Sequence, residues 1–199
     1  MAISPHKLVK LRYFIQEFIN PTEEEWQYLA STLELRNVPK KERLLQQGDI
    51  CRHVAFVNKG LFRAYKSSDD KEITHYFPIE GFFATDYSSF INRTPSPDTI
   101  EALEDCEVLL LSRDDMHKAY SKYHVWERFG RLMAEYLYIK LEKTINSFQF
   151  MTPEERYLNL MAENPGIYER APQVHIASFL GITPESLSRI RKRISVNNL

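Results

Sequence analysis

The stretch IASFLGITPESLSRIRKRI, residues 176–194, holds two apolar helical repeats separated by a turn that centres on Gly181. Glycine supplies the left-handed backbone conformation that a tight turn between two helices needs. Thr183 is a favoured helix cap, and Pro184 suits the first position of the helix that follows. The stretch therefore predicts a helix-turn-helix motif.

The second helix of this motif, residues 184–194, is the candidate DNA-binding element. Its apolar residues Leu187, Ile190 and Ile194 recur at three and four positions, so they share one face and leave polar side chains on the other. Such a helix enters the major groove, where arginine can bind guanine and glutamate can accept a hydrogen bond from cytosine. The outward residues are Glu185, Ser188, Arg189 and Lys192, with Arg191 and Arg193 nearer the C-terminal end, where the helix can meet phosphate.

Charge is unevenly distributed along the chain, although the net charge is only −1. Residues 98–115 hold seven acidic residues and one arginine, whereas residues 183–199 hold four basic residues and one acidic residue. A basic tip on an acidic body is typical of a polyanion-binding end, and a solvated helix face gives a similar pattern. Charge alone therefore leaves both interpretations open.

The bulk composition, with 43% hydrophobic and 27% charged residues, is that of an ordinary globular protein. No apolar run is long enough to span a bilayer. The N-terminal sequence lacks an apolar signal core, so export is not expected. Cys51 and Cys106 are expected to be reduced and buried. We therefore expect a cytoplasmic protein that does not enter a membrane.

The sequence pattern changes twice before the motif. Residues 8–35 have helical spacing, with a second helix that runs from a Thr22 cap through Leu35. Residues 38–112 consist of short apolar runs divided by turn residues, which predicts the antiparallel strands of a small sandwich or barrel, with FFATDYSSFI among the strands. Helical spacing then returns. This order indicates an α+β protein with a sensor domain at 1–124, a dimerisation helix at 125–150 and a helical domain at 151–199.

The helix predicted at 125–150 has an apolar stripe that something must cover. A symmetric second copy of the helix is one solution, and the chain's own β domain is the other. We expect the first, which makes the protein a homodimer. The residues assigned to the interface are Phe129, Leu132, Met133, Tyr136 and Leu137.

Taken together, these features resemble the Crp/Fnr family of bacterial transcription regulators over essentially the whole chain. The most specific segments are VAFVNKGLFRAYK at 54–66, KEITHYFPIEGFFATD at 71–86 and the helix-turn-helix stretch. The resemblance implies an antiparallel β-roll like that of cyclic nucleotide-binding domains, which is a cupin-like double-stranded β-helix. It also implies a homodimer on a two-fold DNA site, DNA contacts by Thr183 and Ser186 in addition to the residues above, and RNA polymerase as a protein partner.

The segment that holds cyclic nucleotides in the family is altered in this sequence. Members that bind cyclic AMP use a Gly-Glu pair and an Arg-Ser pair, where this chain has Ala-Thr-Asp at 84–86 and Ser-Pro at 96–97. Pro97 removes an N–H donor, and Asp86 adds negative charge. Neither cyclic AMP nor cyclic GMP is therefore the expected effector, and Arg93 is the one nearby cation that could replace the missing arginine.

Other family features are also missing. Two distant cysteines cannot supply an iron–sulfur site, and no metal or other cofactor is expected. A haem is left open by four isolated histidines, which are His53, His75, His117 and His124. The sequence stops five residues after Ile194, so the β-wing that follows the recognition helix in the family is expected to be missing.

An aromatic cluster lies where family members build their ligand pocket. It could line a site for an apolar or flat ligand, or it could be plain core in a roll that serves only as a dimerisation scaffold. The candidate pocket residues are Tyr76, Phe82, Phe83, Thr85, Asp86, Tyr87 and Arg93.

An enzyme is not expected, because the sequence has no nucleophile elbow, no phosphate-binding glycine loop and no metal-ligand spacing. The alternative function is a small-molecule-binding module whose degenerate helix-turn-helix docks a protein partner.

Overall fold

The computed structural model describes residues 3–68 and 71–197, so residues 69–70 and the two residues at each end lie outside it. The outermost residues of the expected sensor and helical domains are thus not described. The described helices are α1 (Pro5–Gln16), α2 (Glu23–Thr32), α3 (Tyr87–Asn92), α4 (Arg113–Lys122), α5 (His124–Phe150), α6 (Pro153–Glu163), α7 (Ile167–Arg170), α8 (Gln173–Leu180) and α9 (Pro184–Asn197). The described strands are β1 (Glu34–Val38), β2 (Arg43–Leu45), β3 (His53–Lys59), β4 (Phe62–Ser68), β5 (Lys71–Tyr76), β6 (Phe83–Ala84), β7 (Asp98–Ala102) and β8 (Cys106–Ser112).

The strands form a roll of two four-stranded antiparallel sheets. One sheet has the order β1-β8-β3-β6 and the other the order β2-β7-β4-β5. Apolar side chains that alternate along the strands fill the space between the sheets, and Phe62, Phe90 and Val108 are fully buried there. Both cysteines are buried and unpaired in the roll. The expected α+β class with an antiparallel roll is confirmed.

Three local predictions were wrong. The second helix ends at Thr32 rather than Leu35, because residues from Glu34 pair with β8. The segment FFATDYSSFI is a strand for only two residues and then becomes α3, because Asp86 caps a helix there. The sequence predicts a linker at 168–172, before the helix-turn-helix, but Ile167–Arg170 form the single turn of α7.

The helices α1, α2 and α5 cover the outer face of the first sheet. The first half of α5 contributes Trp126, which is 2% exposed, and Phe129, whose ring packs edge-on against Phe18 at 5.9 Å. Further along α5, Tyr136 contacts Phe18 at 5.7 Å and Phe82 at 5.9 Å. One side of α5 is therefore part of the core of its own chain.

The C-terminal domain, residues 151–197, packs against the second sheet. Ser178 of α8 joins the edge strand β5, because its Oγ accepts a hydrogen bond from the Thr74 N–H at 2.9 Å and donates to the Glu72 carbonyl at 3.2 Å. Beside this contact the rings of Phe77 and Phe179 pack at 5.5 Å. A hydrophobic cluster thus runs from the roll into the helix-turn-helix.

Arg170 forms ion pairs across this interface. Its guanidinium donates to Glu80 at 2.8 and 3.0 Å and to Glu104 at 2.6 and 3.2 Å. Burial alone would raise the pKa of Glu80, but the Arg170 hydrogen bonds and the Gly60 N–H outweigh it and hold that pKa below its ordinary value. Arg170 therefore favours the ionised form of the glutamate that it joins to the C-terminal domain.

We expect Arg170→Gln to lower the free energy of unfolding by about 1–2 kcal/mol near neutral pH, since hydrogen bonds to partly buried charges are lost. A depressed folded-state pKa stabilises the fold above the unfolded-state pKa, and that stability disappears as the pH falls through the folded value. The difference in the free energy of unfolding between Arg170→Gln and the wild type should therefore shrink as the pH falls below 4.5, the ordinary pKa of Glu80. Urea unfolding measures it, with the exposed ion-pair variant Arg131→Gln as the control. A difference that does not change with pH would contradict this role.

Candidate functional site

The helix α9 starts as the sequence predicts. Gly181 has a φ of 70°, which is the left-handed conformation of the turn, and the Ser186 N–H donates to Thr183 Oγ1 at 3.2 Å. Leu187 is fully buried and Ile190 nearly so, in the hydrophobic cluster of the helix-turn-helix. Thr183 and Ser186 are therefore engaged at the helix N-terminus, and the apolar face holds α9 against α8.

The opposite face of α9 is open to solvent. Glu185, Ser188, Arg189 and Lys192 are all exposed. Hydrogen bonds from its own backbone and from Thr183 lower the pKa of Glu185, so this side chain is an acceptor at neutral pH. Arg189 and Lys192 make no hydrogen bond or ion pair with any residue that the structure describes. Their side chains are therefore available to a ligand.

Two of the candidate DNA-binding residues turn toward the C-terminal domain instead. The Arg191 guanidinium stacks over the ring of Tyr168 at 4.1 Å from its centre. Arg193 pairs with Glu154 at the start of α6, although its side chain is 59% exposed. These two arginines stabilise the packing of α9 on the domain, and the exposed pair Arg189 and Lys192 has no such role.

The segment that replaces the phosphate-binding residues of the family is closed by its own hydrogen bonds. Asp86 caps α3 by accepting from the Ser89 N–H at 3.2 Å, and it also accepts from Ser96 Oγ at 2.7 Å. The Asp98 N–H donates to the same hydroxyl at 3.0 Å. Asp86 and Ser96 are buried. A carboxylate thus uses the local donors that an incoming phosphate would need.

Most of the predicted pocket residues line a cavity of about 820 Å³. The exceptions are Asp86, which is a buried helix cap, and Arg93, which ends α3 in the left-handed conformation with an exposed side chain. The assignment of both residues to the pocket is therefore corrected. The residues that do line the cavity are Tyr76, Phe82, Phe83, Thr85 and Tyr87.

The cavity also has walls that the sequence interpretation did not include. One wall is α5, which contributes Trp126, Met133, Tyr136 and Lys140 among others. Their spacing of three, four and seven residues was visible as a helical stripe, but nothing in it showed which way the stripe faces. Further walls come from α1, α2 and α4 and from the C-terminal domain, mainly α6 and α8.

The residues assigned to the dimer interface lie against the chain's own roll and N-terminal helices. Met133 is buried, Leu132 packs on the same core, and Phe129, Tyr136 and Leu137 face the aromatic cluster or the cavity. The sequence identified this stripe of α5. In the structure it packs against the chain's own β domain, which was the second alternative, and not against a second copy of the helix. The physical reason is that α5 carries another apolar stripe about a third of a turn away.

That second stripe is exposed. Its members follow a four-three-four-three spacing along α5, which is the pattern of a helix that packs against another helix. The residues are Ala134, Tyr138, Leu141, Ile145 and Phe148, of which the last four are 47–69% exposed. We call this set the outer stripe.

The isolated histidines lie on different elements, and His75 Nε2 is 3.2 Å from Asp98 Oδ1. Within the described residues no three of His, Cys, Asp and Glu are grouped as a metal site. Burial raises the pKa of Cys106 to about 11. None of the described helices is both long enough and apolar enough to cross a membrane.

Comparison with known proteins agrees with this architecture. Residues 35–123 match the family described as the cyclic nucleotide-binding domain. No curated protein matches the sequence. The solved structure of FixK2 from Bradyrhizobium japonicum is similar, with 19% identity, a TM-score of 0.70 and coverage of 83% of this chain and 86% of that one.

Three further solved structures align with this chain over most of their own length. The regulator CLP of Xanthomonas campestris, described as responsive to c-di-GMP, has 14% identity and a TM-score of 0.67, and the alignment covers 89% of this chain and 94% of that one. The Thermus thermophilus catabolite activator protein has 18% identity, a TM-score of 0.56 and coverage of 91% and 87%. A protein from Eubacterium rectale, described as a regulator of the Crp/Fnr family, has 17% identity, a TM-score of 0.67 and coverage of 89% and 85%.

Residues 35–123 therefore match the cyclic nucleotide-binding domain family, and the chain as a whole has the same fold as these solved regulators.

Proposed function

We propose that this protein is a homodimeric transcription regulator that binds a two-fold DNA site through α9. The observation that carries the proposal is the exposed face of α9, where Glu185, Ser188, Arg189 and Lys192 lie side by side on a helix whose opposite face is buried. A rigid helix with unpaired cations beyond its first turn is suited to the major groove. Such a regulator would act in the cytoplasm, together with RNA polymerase.

The competing function is a module that docks a protein through the same helices. A protein-docking surface would be expected to present apolar side chains, since charge is depleted at the centre of protein interfaces. The exposed face of α9 instead presents two cations and polar side chains. DNA is therefore the better partner for this surface.

We also propose that cyclic AMP and cyclic GMP are not the effectors. A cyclic phosphate needs a cation or several N–H donors. In this chain the corresponding segment contains Asp86, whose carboxylate takes the Ser89 N–H and the Ser96 hydroxyl. The cation Arg93 lies at the exposed end of α3 and outside the cavity.

The two exposed cations of α9 should have separable effects on DNA binding. Arg189→Ala should cost about 1–3 kcal/mol on a preferred site and leave non-specific binding unchanged, because a base contact is lost. Lys192→Ala should weaken all sequences alike and reduce the salt dependence by roughly one per subunit, because a phosphate contact is lost. Gel-shift titrations over a salt series measure both effects, with the exposed roll variant Arg52→Ala as the control.

Equal losses on preferred and scrambled duplexes would make Arg189 a phosphate contact and move the specificity to Glu185 and Ser188. A protein without salt-dependent DNA affinity would contradict the proposal and favour the protein-docking function.

The outer stripe supports the dimer. A two-fold interface buries the same surface on both copies, so a single apolar stripe at heptad spacing can pack against itself. Tyr138 and Ile145 are the members of the stripe that face away from the cavity. Tyr138 is 69% exposed and Ile145 is 47% exposed. Neighbouring large apolar side chains with this exposure are unusual on a folded monomer.

Replacing Tyr138 and Ile145 by glutamate should therefore give a folded monomer that no longer binds its DNA site tightly. Two charges in an apolar interface would each repel their symmetric copies. Sedimentation equilibrium measures the association, and the control is Leu158→Glu on α6, because Leu158 is 46% exposed and so matches Ile145 at 47%. Retention of the dimer in the double variant, or its loss in the control, would remove the outer stripe as the interface.

A further inference from the structure

The cavity lies at the junction of three parts of the chain, and its walls are mainly aromatic and aliphatic. The roll contributes Phe82 and Tyr76, α5 contributes Tyr136, and the C-terminal domain contributes Phe179 and Leu180. A volume of about 820 Å³ is within the range of small-molecule sites. Walls of this kind favour a ligand with an apolar body, because each buried ring removes apolar surface from water.

Two buried polar groups in the wall lack a partner within the described part of the chain, and the first is the indole N–H of Trp126. The side chain of Trp126 is 2% exposed, and its indole N–H has no acceptor among the residues that the structure describes. A buried donor without an acceptor costs free energy, so such groups usually have a role. Trp126 therefore offers a hydrogen bond from within the aromatic part of the wall.

The charges along the cavity are mostly positive. Lys140, Lys143 and Arg156 line it, whereas Glu163 is the one acid among its lining residues. The Lys140 ammonium sits over the Phe82 ring, 4.6 Å from its centre, and pairs with no carboxylate of the described chain. A cation held over an aromatic wall rather than beside an acid is well placed to receive an anion.

Arg156 repeats this arrangement on the side of the C-terminal domain. Its guanidinium donates to the carbonyls of Met151 at 2.7 Å and Leu180 at 2.9 Å and stacks on Phe148 at 5.0 Å. Its Nε is buried and has no acceptor among the described residues. The positive charge at this junction is thus held in place by neutral partners and is not balanced by them.

We propose that the cavity binds a hydrophobic anion, a molecule with an apolar body and one carboxylate-like or sulfonate-like group, with the body between the aromatic walls and the anion at Lys140. A nucleotide does not fit this description, since its sugar and phosphate would have to replace hydration with apolar walls. A second copy of the chain is placed elsewhere, because Tyr138 and Ile145, the members of the outer stripe outside the cavity, lie about 140–160° around α5 from Lys140. This site requires neither DNA binding nor the proposed regulator function.

Two fluorescent probes test the proposal on the full-length protein without DNA. Anilinonaphthalene sulfonate has an apolar body and one anionic group, and phenylnaphthylamine is its uncharged counterpart. We expect saturable binding of the sulfonate at one site per chain. Lys140→Gln should weaken binding of the sulfonate by about fivefold, as expected for the loss of one partly exposed ion pair. The affinity for the uncharged probe should not change. Arg128→Gln, on the same helix but outside the cavity, should change neither.

A filling variant locates the site independently of charge. Thr144 lines the cavity on α5, and Thr144→Trp should weaken both probes while the melting temperature stays near that of the wild type. The proposal is overturned if both probes bind equally and ignore Lys140→Gln, or if Thr144→Trp changes neither. It is also overturned if binding disappears as the protein dimerises, which would make a second copy the occupant, or if micromolar cyclic AMP displaces the sulfonate.

Discussion

The helix α5 presents two different apolar sides, and the positions of the cavity, the outer stripe and the C-terminal domain all depend on this fact. An α-helix turns about 100° per residue, so residues at three and four positions form one side and a second set can form another. On one side Trp126, Phe129 and Met133 are committed to the core of the chain. The side more than a third of a turn away is exposed, and there Tyr138 and Ile145 are available to a second copy.

The C-terminal domain reaches the roll through contacts of two kinds. The hydrogen bonds of Ser178 to the edge strand and the ring contact of Phe179 fix the position of α8. Arg170 adds charge to the same interface by binding Glu80 and Glu104. Because the cavity has walls from both sides of this interface, a molecule in it would contact the roll and the C-terminal domain together. Such a molecule would bias the orientation of α9 if its affinity differed between two arrangements of this interface.

Local signals made the helix-turn-helix predictable from the sequence. Gly181, the Thr183 cap and the buried Leu187 each depend on neighbours within a few residues, and the structure has all three as expected. The antiparallel roll was also predictable, since alternation along short strands reports burial on one face. The surface that covers the first apolar stripe of α5 was not predictable, because it depends on where the roll lies relative to the helix. Asp86 was likewise assigned to a pocket, although its hydrogen bonds to Ser89 and Ser96 bury it as a helix cap.

We propose that α9 binds DNA as one half of a two-fold dimer. Selection of bound sequences from random duplexes by the purified protein is the most direct test. The account predicts enrichment of an inverted repeat whose half-site centres lie about 34 Å apart, one turn of the double helix. Enrichment of a single asymmetric half-site would contradict the dimer geometry. No enrichment at low salt would contradict DNA recognition by this surface.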